Sequence, residues 1–105
     1  MSQDRLARVF DTLAGEPQPL PKDYKRRQTQ VEEKLATGRP LQVAELIRDL
    51  SWKEQIDRLT QKDARLLGQG RKFLAGEIAL VTSAEMESVN EMIDEALAIA
   101  MPEES

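Results

Sequence analysis

The 105-residue chain has no cysteine and no histidine, and its aromatic complement is one Trp, one Tyr and two Phe. Without cysteine there is no disulfide, no thiolate nucleophile and no zinc-finger ligand set. Without histidine there is no imidazole base, no His-containing triad and no His metal ligand. Composition therefore argues against most enzymes, and the chain is read as a non-enzyme with no cofactor and no metal. Long apolar runs are also missing: nothing approaches the roughly 20 residues needed to span a bilayer. Met1-Ser2-Gln3-Asp4-Arg5 does not lead into an apolar signal segment, so the expected compartment is the cytoplasm. No stretch alternates apolar and polar residues as a half-buried strand does.

Charge is plentiful. Asp, Glu, Lys and Arg make up 32% of the chain, 40% is apolar, and the formal net charge is -4. The apolar residues fall at regular spacings, which fits one folded domain better than disorder. The acidity is uneven. Residues 83–105 hold Glu85, Glu87, Glu91, Asp94, Glu95, Glu103 and Glu104 and no Lys or Arg, whereas residues 22–82 carry 13 basic and 9 acidic groups. Within the basic stretch, Lys22, Lys25, Arg26 and Arg27 form a cluster diluted only by Asp23. A focused patch of this kind attracts polyanions even on an acidic protein, although a charge run taken alone is more often a solvated face.

The periodicity predicts a compact all-α bundle of about five helices in a single domain, 1–105. The first helix, 1–15, starts at Ser2, spaces Leu6, Val9, Phe10 and Leu13 helically, and stops at Gly15. A connector over 15–21 has three prolines in five residues, too many for a helix interior. The remaining helices occupy 22–101, with a tail at 102–105. The second helix runs from Pro21 or Lys22 to Thr37 with a thin apolar face of Tyr24, Val31 and Leu35, and Gly38 at its far end. The third begins after Arg39-Pro40 and stripes Leu41, Val43, Ala44, Ile47, Leu50 and Ile56. Thr60 to Asp63 resembles a capping box, opening a fourth helix to Val81 with Leu66, Leu67, Phe73, Leu74 and Ile78 on its apolar side. That helix holds Gly68, Gly70 and Gly76, a pattern that fits close helix approach at one or more of them and fits local flexibility equally well. Thr82-Ser83-Ala84-Glu85 reads as another cap before a last helix with Met86, Val89, Met92, Ile93, Ala96, Leu97 and Ala100 inward and Pro102 as its stop.

Reactive constellations are not evident. Glu32-Glu33 and Asp94-Glu95 are adjacent and diverge on a helix. Glu87 and Glu91 share a face, but two carboxylates supply few of the oxygens calcium requires. Gly68-Gln69-Gly70 lies in a helical pattern and lacks the ending of a phosphate loop. Met86 and Met92 suit core packing.

Three collinear stretches carry a resemblance: Pro19 through Arg27, Glu33-Lys34-Leu35-Ala36-Thr37-Gly38 through Val43-Ala44-Glu45-Leu46-Ile47-Arg48-Asp49-Leu50, and Leu59-Thr60 through the Gly76-Glu77-Ile78-Ala79-Leu80 segment. Their order and spacing resemble the C-terminal domain of the CarD/CdnL family of bacterial transcription regulators, over residues 4–100. In that family an N-terminal Tudor-like domain binds the β subunit of RNA polymerase, and the C-terminal helical domain contacts promoter DNA at the upstream edge of the transcription bubble. Nothing in this sequence resembles the polymerase-binding domain. Family members usually place a tryptophan wedge just after the proline connector. Tyr24 occupies the matching position here, a departure that keeps a flat ring but reduces its area and adds a hydroxyl.

The resemblance implies a DNA-binding set of Tyr24, Lys22, Lys25, Arg26 and Arg27, with Arg65, Arg71 and Lys72 as an extension of the basic surface. Trp52 lies in the third helix, well away in sequence, and reads as a partly buried packing residue. The expected function is non-sequence-specific binding of promoter DNA and stabilisation of the open complex. The expected partners are promoter DNA and RNA polymerase, the latter through a domain outside this sequence. The protein is expected to be a nucleoid-associated monomer with no membrane contact. The alternative is a helical protein-interaction module without DNA binding, which the acidic last helix would suit.

Overall fold

Ser2 is held in extended backbone, and its hydroxyl accepts a hydrogen bond from the Arg5 N–H at 3.1 Å, so the chain enters a helix at once. In this computed structural model, which describes residues 1–101, five helices and no strand are present among the described residues. The first, α1 (Gln3–Ala14), buries Val9 and Leu13 completely, and the Gly15 N–H closes it on the Thr12 carbonyl at 3.1 Å. No regular secondary structure forms over the proline connector, residues 16–21. The connector is nevertheless anchored: the Gln18 N–H donates to Asp49 Oδ1 at 2.9 Å, and Leu20 packs against the core.

The second helix, α2 (Tyr24–Ala36), begins later than the sequence suggested. Asp23 is its N-cap and accepts from the Arg26 N–H at 3.3 Å. Pro21 therefore lies outside the helix. The inward face consists of Arg27, Gln28 and Val31, two of them polar, which explains why it looked thin as a hydrophobic stripe. Gly38 at φ +63° turns the chain in a conformation that side chains resist, and Pro40 then opens α3 (Pro40–Ile56).

The third helix packs on α1, α2 and α4, which is why Val43, Ala44, Leu46, Ile47 and Leu50 are all buried. Ile56 departs from expectation. It is 55% exposed, at the end of the helix and beyond the neighbours that cover the earlier turns. The capping box of α4 (Gln61–Thr82) is present as read: Thr60 Oγ1 accepts from the Asp63 N–H at 3.1 Å, and the Asp63 carboxylate accepts from the Thr60 N–H at 3.4 Å. Of the three glycines in α4, only Gly70 marks a close approach. A Cβ there would stand 2.9 Å from Leu46 Cδ1, whereas Gly68 and Gly76 face open space.

The segment Thr82-Ser83-Ala84-Glu85 is not the expected second capping box. Thr82 still belongs to α4, Ser83 caps that helix in the left-handed conformation, and Glu85 precedes α5 (Met86–Ala100) without a side-chain cap. Val89, Ile93, Ala96 and Leu97 face α1 and α4, but Met86 and Met92, 43% and 37% exposed, are not core residues. The helix ends before Met101, and the stop expected at Pro102 and the 102–105 tail lie outside the described residues.

Candidate nucleic-acid interface

The proline connector delivers the chain to the start of α2, where extended backbone at Asp23 gives way to helix. Tyr24, the first helical residue, is 54% exposed with its ring outside the core. Lys22, Lys25 and Arg26 are also exposed, so three cations bracket one aromatic ring within five residues. Of the first-turn N–H groups, that of Arg26 is taken by the Asp23 carboxylate, which leaves those of Tyr24 and Lys25 to add partial positive charge at the same end.

Arg27 belongs elsewhere, and the expectation that it would meet phosphate is corrected by its surroundings. The residue is only 4% exposed. Its Nη2 lies 2.8 Å from Asp63 Oδ2, and its Nε donates to the same carboxylate at 3.1 Å. Its Nη1 donates to the Lys22 carbonyl at 3.1 Å and the Pro21 carbonyl at 3.4 Å. The guanidinium thus joins α4, α2 and the connector. Asp63 is fully buried. Burial works to raise its pKa, but hydrogen bonds from Arg27 and Thr60, with the Arg27 charge, outweigh it and hold the carboxyl below its ordinary value. Beside this junction, Gln28 Nε2 donates to Thr60 Oγ1 at 3.2 Å.

The three α4 cations divide. Arg71 is half-buried and committed to α5: its Nη1 meets Asp94 Oδ1 at 2.8 Å, and its Nη2 donates to the Asn90 carbonyl at 3.4 Å. An acidic partner there offsets the charge the basic surface needed. Arg65 and Lys72 are exposed and seven residues apart, so they share a face of α4. Neither joins the cavity that Tyr24 lines.

That cavity brings in residues which spacing along the sequence kept apart. Tyr24 and Trp52 line it together, with Leu20 from the connector, Ile56 from the end of α3, and Arg58 from the α3–α4 turn. Trp52 is half-buried rather than sealed, so its ring borders the space beside Tyr24. The only hint in the sequence is the i, i+4 spacing of Trp52 and Ile56, because the fold-back of the connector depends on the Gln18–Asp49 contact.

No group of three or more Asp or Glu is placed to hold a metal ion among the described residues. No helix there is long and apolar enough to cross a membrane. The family model described as CarD, C-terminal domain matches residues 8–94, from the middle of α1 to the last helix, and so covers every element that frames the Tyr24 edge. That family is one of transcription regulators, and this chain, matched over most of its length, belongs to it.

Proposed function

We propose that this domain binds promoter DNA at the upstream edge of the transcription bubble, without sequence specificity, and lengthens the life of the open complex. The observation that carries the reading is the exposed ring of Tyr24 at the first turn of α2, bracketed by exposed Lys22, Lys25 and Arg26. Wedging a side chain against a base step unstacks it, at a cost of a few kcal/mol that is lowest where the duplex is already distorted. A ring placed this way therefore favours a fork over intact duplex. Lys22, Lys25 and Arg26 hold the flanking phosphates, positioning the ring without reading bases. A preference of about 1.4 kcal/mol for the melted state shifts the open/closed balance about tenfold.

Three exposed cations neutralise few phosphates, so the isolated domain binds weakly. Attachment to RNA polymerase through another domain supplies the effective concentration it lacks, and places the protein at the nucleoid. Arg65 and Lys72 serve as a secondary phosphate surface, and Arg71 no longer belongs to the set. The protein acts as a monomer, by binding rather than by catalysis.

Fluorescence anisotropy with a forked, AT-rich promoter fragment at low salt tests the reading. Tyr24→Ala is expected to remove the preference for forked over intact DNA, about tenfold, while Arg26→Ala weakens both alike by a few-fold. If no salt-sensitive association appears at high protein concentration, the protein-interaction module replaces this reading.

A further inference from the structure

The cavity beside Tyr24, about 620 Å³, is lined by two of the chain's four aromatic side chains, Tyr24 and Trp52. Its walls are mainly apolar: Leu20 and the flanking prolines on the connector side, and Trp52 and the 55%-exposed Ile56 on the α3 side. The charge around the opening is unbalanced. Asp49 is neutralised by Arg48 at 2.8 Å, and Asp57 by Lys53 at 3.5 Å. Lys22 and Arg58 have no ion-pair partner among the described residues. A largely apolar space lined by two aromatic residues and by two cations without ion-pair partners complements a nucleotide, with the base against the apolar lining and the phosphate on the cations. An apolar peptide would use the walls but leave the two cations idle.

We propose that this cavity receives an unstacked nucleobase of single-stranded DNA, stacked on Trp52, with an adjacent phosphate held by Lys22 and Arg58. The inference rests on the wedge reading above and extends it: the ring that unstacks a base step borders the space where a displaced base comes to rest. Capture of that base adds affinity only when the strands have parted, so the cavity and the ring act in the same direction.

Trp52 is the only tryptophan in the chain, so its emission reports on the site directly. The full chain is titrated at low salt with an end-labelled oligothymidylate, following Trp52 emission and the anisotropy of the label together. Emission is expected to fall to a plateau with the same midpoint as the rise in anisotropy. Trp52→Leu is expected to weaken single-strand binding about tenfold, Trp52→Phe to retain most of it, and Arg58→Ala to weaken it a few-fold. Circular dichroism establishes that each variant is folded. Should Trp52→Leu fail to fold, wild-type emission and the exposed Arg58→Ala decide the matter. If DNA binds in a salt-sensitive manner while Trp52 emission stays constant and Arg58→Ala binds like wild type, the base site is refuted and the wedge reading stands. If neither the oligothymidylate nor the forked promoter fragment binds, both fall together.

Discussion

Arg27 carries more of this molecule than its place in a basic run suggested. Its charge is removed from solvent and divided between one carboxylate and the Pro21 and Lys22 carbonyls. A buried pair of this kind contributes little net stability compared with apolar residues of the same size, but removing one partner leaves the other charged and dry. Arg27→Met is therefore expected to destabilise the fold by about 3–5 kcal/mol in urea denaturation. Replacing Asp63 in the same chain as well should recover part of that loss, leaving mainly the loss of the α4 cap, about 1 kcal/mol. The pair also sets an acid limit. Asp63 is held below its ordinary value of 3.8 in the folded state, so its contribution is complete at pH above that value and disappears as pH falls through the lowered one. Unfolding midpoints followed downward from about pH 6 should drop below about pH 4, and Asp63→Asn should flatten that part of the profile.

The helices were legible where periodicity governs and obscure where polar contacts do. Ser2, Gly15, Gly38, Pro40 and the Thr60–Asp63 box announced real boundaries because each satisfies a local backbone requirement. The start of α2 was misplaced because Asp23 dilutes the charge of the basic cluster while also capping the helix. Ile56 and Met86 fit their helical stripes but lie at helix ends, and Met92 lies between buried Val89 and Ile93 at the edge of its stripe; periodicity alone reveals neither. The glycines of α4 make the same distinction measurable. Gly68→Ala and Gly76→Ala meet open space and should each stabilise the fold by up to about 1 kcal/mol. At Gly70 the added methyl runs into Leu46, with Val43 and Ile47 3.5 Å away, so the helical gain is offset by overpacking of about 1–3 kcal/mol. Thermal midpoints should therefore rise for the first two variants and fall for Gly70→Ala.

Across the whole molecule, charge is sorted by position in the fold. Exposed Lys22, Lys25 and Arg26 lie together at the entry to α2, while Glu87, Glu91, Asp94 and Glu95 lie exposed along α5, which packs on α1 and α4. This separation was readable from the sequence, because it follows the order of the chain. The cavity was not, because it depends on the connector returning to α3 through Gln18 and Asp49, a contact 31 residues apart. With three cations at the ring, the slope of log affinity against log salt for the forked fragment should be about -2 to -3. Lys25→Ala and Arg26→Ala should each reduce that slope by about one. Neutralising Glu91 and Glu95 should tighten binding to any DNA without changing the fork preference, since these acids repel the polyanion from a distance.

The grip of Arg27 on the Pro21 and Lys22 carbonyls makes heat tolerance and the aim of the Tyr24 ring a single heritable trait. A lineage that loosens this clamp surrenders both together. Exposed Lys22, Lys25 and Arg26 can therefore change without touching the bundle, whereas position 27 cannot.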